Sequence, residues 1–353
     1  MTRRALVSWL ALGAVLISAF AQSPHMNLGD LDLGVTLLTY LAIAQAWNVL
    51  AGFSGQVSLG SAAFVATGGY SAALVLAHSQ VSYVLGLAVA AACSAVLALI
   101  LAVPLLRLRG DYFAVGTLAI AIAIQAALNN WVWAGGAGGL ILPVDRVPMG
   151  PDLFRLAAVV AALAMGLAVF VKHSGFGLRL TAIRDNEQAA AGLGVSVYRH
   201  RLAALVPASM IIGLAGAVVA YQFVAISPSG VANLSWSLNA VLMAIVGGAG
   251  SLLGPVVGVG IVYYGLTRQL EDTQTLSQVL EGTLLIIIVR FAPEGIWPFA
   301  CRMSRRAWHS RPSASRPGDR TGGSSSNRDK DPDQGRDQDP DTVSSDSVVV
   351  STR

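Results

Sequence analysis

Acidic and basic side chains are absent over long distances in this chain, and the places where they return mark its organisation. Apart from His78, none occurs at residues 33–106, 112–144, 156–171 or 202–267. A helix that crosses a bilayer needs about 20 apolar residues and must pair its own backbone groups, so runs of this length predict hairpins and bundles of spanning helices. Spans are expected at residues 31–50, 62–77, 81–106, 112–133, 153–171 and 202–225, with a last crossing at 279–297.

Two of these apolar regions are broken. Residues 52–61, Gly-Phe-Ser-Gly-Gln-Val-Ser-Leu-Gly-Ser, place four polar side chains and three glycines inside hydrophobic sequence. In the second region, apolar pieces at 236–246 and 252–267 are parted by Gly247-Gly248-Ala249-Gly250-Ser251. The first piece, about eleven residues, is too short to cross comfortably, which predicts an interrupted helix or a re-entrant pair. Breaking a helix in lipid leaves backbone groups unpaired unless protein or a water-lined cavity surrounds the break. The breaks echo each other: Gly52-x-x-Gly55 is followed by Leu59-Gly60, and Gly247-x-x-Gly250 by Leu253-Gly254. Glycine-interrupted segments at corresponding places in two halves point to a transport site near the midplane. Gly68, Gly69 and Ser71, in the span after the first break, are small enough for close helix contact.

Residues 172–201 are the only long charged segment between the uncharged runs. Asp185 and Gln188 have capping-box spacing, which predicts a short helix over 186–191 that Gly192 ends. Ala189, Ala190 and Ala191 form a small flat face beside Arg184, Asp185 and Glu187. A smooth, short helix of this kind suits insertion into a groove on another protein; an ordinary solvated loop is the alternative.

Charge sets the orientation. Arg107 and Arg109, then Lys172, Arg179, Arg184, Arg199, His200 and Arg201, fall on one side of the expected spans, as do Arg302, Arg305 and Arg306. By the positive-inside rule that side is cytoplasmic. Residues 1–30 form an N-terminal helix and outer loop. Arg3, Arg4, the apolar run after them and Ala19-Phe20-Ala21 also fit a cleavable signal, but a retained helix is favoured because the chain returns to the membrane almost at once. Residues 31–300 then form the transmembrane domain. Residues 301–353, rich in Ser, Pro, Gly, Asp and Arg, bury too little to order themselves and read as a disordered cytoplasmic tail. Overall, 54% of the 353 residues are hydrophobic and 12% charged, about half the charge of a soluble domain. The reading is an all-α polytopic membrane protein with about 8–10 transmembrane helices, including interrupted or re-entrant segments.

A proton-coupled carrier ordinarily needs Asp, Glu or His within its spans, and the uncharged runs offer only His78. Lys172 and Lys330 are the only lysines, and neither completes a G-x-x-x-x-G-K-[ST] phosphate loop. No metal pair or nucleophile-base set appears, so no cofactor and no enzyme activity are expected of this chain, and nothing points to nucleic acid. What remains is an uncoupled small-solute channel or a permease driven by partners. Candidate groups along the substrate route are Asn48, Ser54, Gly55, Gln56, Ser58, Thr67, Thr117, Gly247 and Gly250; each polar one is equally able to satisfy a backbone group within the bundle.

The stretch Asn48-Val49-Leu50-Ala51-Gly52-Phe53-Ser54-Gly55-Gln56-Val57-Ser58-Leu59-Gly60-Ser61-Ala62-Ala63-Phe64 resembles the signature of permease subunits of high-affinity branched-chain amino acid ABC importers. The runs Leu108-Arg109-Gly110-Asp111-Tyr112-Phe113-Ala114, Ala182 through Gly194, and Gly247-Gly248-Ala249-Gly250-Ser251-Leu252-Leu253-Gly254-Pro255 are similar to it as well. The Gly-x-x-Gly-Gln-x-Ser-Leu-Gly form resembles the "M" type of these permeases. The resemblance implies a type II-like importer half in a bacterial plasma (inner) membrane, with its C-terminus in the cytoplasm. It implies a second, "H"-type permease, two cytoplasmic ATPases that hydrolyse the ATP, and an extracytoplasmic binding protein that delivers leucine, isoleucine or valine. Arg184, Asp185, Glu187, Ala189, Ala190, Gly192 and Gly194 would then belong to the helix that couples to an ATPase. Ser61 stands where many members have His, and residues 135–140 lack the Thr and Asn often found there; paralogues serve urea, short amides and aromatic-derived acids.

Overall fold

The computed structural model describes residues 27–108 and 110–263, together with Thr283, Ile286, Arg290, Gly295 and Ile296. The expected N-terminal helix, most of the last crossing and the tail at 301–353 lie outside the described residues.

Helix α1 (Leu28–Asn48) runs into a π-turn (Val49–Phe53), and α2 (Ser61–His78) follows after an extended link. Helices α3 (Tyr83–Leu105), α4 (Asp111–Asn130) and α5 (Pro151–His173) come next, then two short helices, α6 (Gly175–Asp185) and α7 (Glu187–Gly192). The long α8 (Val197–Phe223) leads through a single turn, α9 (Pro228–Val231), to α10 (Ser235–Gly247) and α11 (Gly254–Val262). Among the described residues, seven helical stretches are long and apolar enough to span a membrane.

Small residues decide which helices sit at the centre. On α3, Gly86, Ala90, Ser94, Ala98 and Ala102 recur every fourth residue as one narrow buried stripe, while Val84, Val96, Leu99, Ile100 and Val103 point outward. An apolar exterior on a helix this long is what lipid accepts. Helix α8, by contrast, is buried nearly all round from Ile211 to Tyr221. A β-carbon on Gly68 would run into the backbone of Gly213, one on Gly216 into that of Val65, and one on Gly213 into Ser94 Oγ. The small-residue contact expected at Gly68 and Gly69 is therefore the seam between α2 and α8, and α3 closes on the other side of α8. With no hydrophobic drive between helices in lipid, such close backbone approach is what holds them together.

At one end of the bundle, Leu140–Ile141 pairs antiparallel with Ala225–Ile226. His78 stacks on Trp133 with centroids 4.7 Å apart, and Arg146 reaches Ser79 O at 3.2 Å. Tyr221 Oη donates to Tyr83 O at 2.9 Å, and Gln222 donates to Asp32 Oδ1 at 2.7 Å. The opposite end carries the π-turn, the link to α2, the segment 174–196 and the turn between α10 and α11.

The second interrupted region is a hairpin. A β-carbon on Gly247 would meet Gly254 O, and one on Gly258 would meet Met243 O, so α10 and α11 lie back to back with 243 opposite 258 and 247 opposite 254. The two pieces fold back on each other about the glycine break, as far as the described residues run, to Tyr263. The segment 172–201 departs from expectation, since Gly175–Asp185 forms a helix of its own. Ser174 Oγ caps it by accepting from Gly177 N at 3.2 Å.

Candidate functional site

The two broken helices meet each other directly. Asn48, fully buried at the end of α1, accepts from Gly250 N through Oδ1 at 2.7 Å and donates through Nδ2 to Ser251 O at 2.9 Å. Its amide thus pairs backbone groups released where α10 ends. Three residues earlier on the same face, Gln45 Nε2 donates to Leu252 O at 3.3 Å. Ser251 Oγ closes the turn, donating to Gly248 O at 2.8 Å and accepting from Gly254 N at 2.9 Å. A side chain on Gly52 would collide with Gly250 N, and Gly250 holds a φ of +79°, a conformation that favours glycine. The fold sets Gly52 against Gly250, so the two echoing glycine motifs meet in space.

The first break is stitched just as completely. Ser54 Oγ donates to Leu50 O at 2.6 Å and lies 3.5 Å from Gln56 Oε1. Trp47 Nε1 donates to Ser58 O at 2.7 Å, and Ser58 Oγ accepts from Gly60 N at 3.2 Å. Thr117, from α4, accepts from Leu59 N at 2.9 Å and donates to Ala114 O at 2.8 Å. Ser237 Oγ accepts from Ala62 N at 2.8 Å, and Thr67 Oγ1 donates to Ala63 O at 2.8 Å. Asn48, Ser54, Ser58, Thr67 and Thr117 each hydrogen-bond a backbone group, and Gln56 lies beside Ser54. Gln45, Trp47 and Ser237 take part without any signal in the sequence, because their partners lie elsewhere along the chain. The site is also displaced: both breaks sit at the end that bears the basic segment, and α6 touches them there.

That contact is made by Arg184. Its Nη1 donates to Gly52 O at 2.6 Å, and its Nε and Nη2 lie 3.1 and 3.0 Å from Asp185 Oδ1. Asp185 ends α6 and does not cap α7. Asn186 is the N-cap, its Oδ1 accepting from Ala189 N at 3.0 Å. Asparagine there is as good a cap as aspartate, and Asp185 is already held by the arginine. Helix α7 runs one residue further than expected, to Gly192: Val195 N bonds to Ala190 O and Gly194 N to Ala191 O, with Gly194 at φ +83°. This is a Schellman ending, so Gly194 and not Gly192 is the stop.

Helix α7 has a fastened side and an open side. Glu187 pairs with Arg201 of α8 at 2.9 Å, and Ala190 is buried. Ala190, counted with the flat face in the sequence, is turned inward because a helix of six residues cannot present three consecutive side chains on one side. Gln188, Ala189, Ala191, Gly192 and Leu193 are exposed, Leu193 at 85%. The Arg201 side chain is only 12% exposed, so removing its partner leaves a charge with little water. Glu187→Ala is expected to destabilise the detergent-solubilised chain by about 1–3 kcal/mol, read as a lowered Tm, and Glu187→Ala with Arg201→Met to recover most of it.

Packed apolar spans, a pair of joined helix breaks and a projecting helix at the basic end define a multi-pass membrane permease with an all-α fold. The family described as branched-chain amino acid transport system permease component matches residues 31–289, and this chain belongs to it. The high-affinity branched-chain amino acid transport system permease protein LivM of Salmonella typhimurium is 27% identical over 327 residues, covering 82% of this chain and 75% of the relative. LivM of Escherichia coli is 27% identical over 322 residues with the same coverage. The L-arabinose ABC transporter permease protein AraH of Azospirillum brasilense is 24% identical over 280 residues, 75% of this chain and 79% of that one. No solved structure matches. These relatives are named as permease proteins of transport systems.

Proposed function

We propose that this chain is one permease subunit of an ATP-driven importer in the bacterial inner membrane, moving branched-chain or related amino acids. An extracytoplasmic binding protein delivers the substrate. In this reading a second permease of the "H" type completes the pathway, two cytoplasmic ATPases supply the energy, and this chain binds no cofactor. The observation that carries the proposal is α7: a capped, Schellman-terminated helix whose inner side is clamped by Glu187 and Ala190 and whose outer side presents small residues and Leu193. A channel without partners has no use for so rigid a projection.

The docking surface is therefore Gln188, Ala189, Ala191, Gly192 and Leu193, with Gly194 setting its end. Arg184, Asp185 and Glu187 serve it from behind, being engaged within the chain itself. Leu193→Asp puts a charge into the proposed groove contact without touching the clamp. Expected is a loss of at least about tenfold in ATP-driven uptake and in receptor-stimulated ATP hydrolysis by the assembled complex, an effect of one buried apolar anchor. Uptake and hydrolysis equal to wild type would refute α7 as the coupling element. Amino acids are favoured over sugars because the family description and the two LivM relatives name them. Titrating the accompanying binding protein with leucine, a short amide, an aromatic-derived acid and L-arabinose decides the class.

A further inference from the structure

The geometry points to Arg184 as a latch that holds the joint between the two broken helices shut and releases it when α6 and α7 move. The inference rests on the importer reading only for the source of that movement. Gly52 sits where the α-helical ladder of α1 gives way to the π-turn, and the guanidinium is positioned on its carbonyl at 2.6 Å. On the same nitrogen's other flank lies Gly250, where a β-carbon would stand 3.3 Å from Arg184 Nη1 and 3.1 Å from Gly52 O. The arginine stem covers Gly55, whose missing β-carbon would come within 2.8 Å of Arg184 Cγ. One side chain therefore bonds the first break and lies beside the second, while its backbone belongs to the helix that leads directly into α7.

The chemistry suits a reversible closure. The guanidinium fork holds Gly52 O with one nitrogen while Asp185 orients the others, a division that lysine's single ammonium does not reproduce. The latch is at the surface, with 38% of the side chain exposed, whereas Ser54 just behind it is fully buried. A displacement of α6 would strip the nitrogen from Gly52 O and leave the joint to the amides of Asn48 and Gln45. Arg184 is thus a positioning residue: it need not meet the substrate.

The test uses the full chain with Cys93→Ser and Cys301→Ser, carrying Ser54→Cys as reporter, in inverted membrane vesicles treated with a membrane-impermeant maleimide. Arg184→Ala is expected to raise the labelling rate of Ser54→Cys about tenfold, the change in an opening equilibrium that loss of one charge-assisted hydrogen bond produces. Arg184→Lys should fall between. Ser209→Cys, a buried position in the middle of α8, should stay unlabelled in every background. Equal labelling of Ser54→Cys with and without Arg184 overturns the latch. So does labelling of Ser209→Cys in Arg184→Ala, which would make the arginine a general brace of the fold. In the assembled complex, Arg184→Ala should also raise ATP hydrolysis without loaded receptor several-fold and lower uptake per ATP. A wild-type complex that hydrolyses ATP without uptake would remove the importer reading and leave the labelling result to decide the latch.

Discussion

Replacing Asn48 with leucine is expected to unfold the meeting point of the two broken helices. Leucine matches asparagine in size but offers nothing to Gly250 N or Ser251 O, which Asn48 now holds at 2.7 and 2.9 Å. Both are backbone groups in a part-buried turn enclosed by α1, α10 and α11. Leaving a buried polar group unpaired costs about 1–3 kcal/mol each, so the pair accounts for roughly 2–6 kcal/mol. The measurement is the Tm of the purified chain in detergent, with uptake by the complex alongside. Asn48→Asp separates the two bonds: a carboxylate still accepts from Gly250 N but repels Ser251 O, so its loss should be intermediate. An Asn48→Leu protein with wild-type Tm and uptake would show that the amide does not join the breaks.

Gly68→Val should have an effect as large, for a steric reason. The position faces the Gly213 backbone so closely that a single β-carbon already overlaps it, and α8 is gripped from behind by Ser94 and Ala90 of α3. The helix has no room to retreat, so the branched side chain must part α2 from α8 along much of their length. Overpacking a well-filled core usually costs about 1–3 kcal/mol, and more when backbone has to move. Expected is a steep fall in folded, monodisperse protein after detergent extraction, with Gly68→Ala between the variant and wild type. Because lipid-embedded helices associate through close contact and not through exclusion of water, no larger side chain substitutes for that glycine.

The two variants mark different depths of legibility in the sequence. Gly68 could be read as a packing residue from its apolar surroundings alone, since a glycine inside a spanning helix has few other uses. Asn48 was visible as an oddity, a polar residue before a broken helix, but its partner lies about two hundred positions away. Spacing says nothing about such a pair. The same limit explains Arg184, which reads as part of a solvated charged face until α6 is seen to lie against the π-turn. It also explains Ala190, whose inward side is settled by the Glu187–Arg201 clamp. The shift of the cap from Asp185 to Asn186 was a near miss of another kind. Both side chains are good caps, and the choice fell to the one not occupied by Arg184.

Hydropathy and charge are properties of each residue with its neighbours in sequence, and membrane partition acts on those properties one segment at a time. That is why the apolar spans among the described residues, the small-residue seam at Gly68 and the existence of two helix breaks are legible in the sequence. Which break touches which, and what fills the unpaired backbone groups there, depends on side chains brought together from distant segments. That Gly52 faces Gly250, that Asn48, Ser58 and Thr117 bond backbone groups at the breaks, and that an arginine from the basic segment reaches Gly52 all emerge from packing between separate segments. The physical reason is that a backbone group freed inside a membrane bundle must be paired by whatever packs nearest, and nearness of that kind is created by folding.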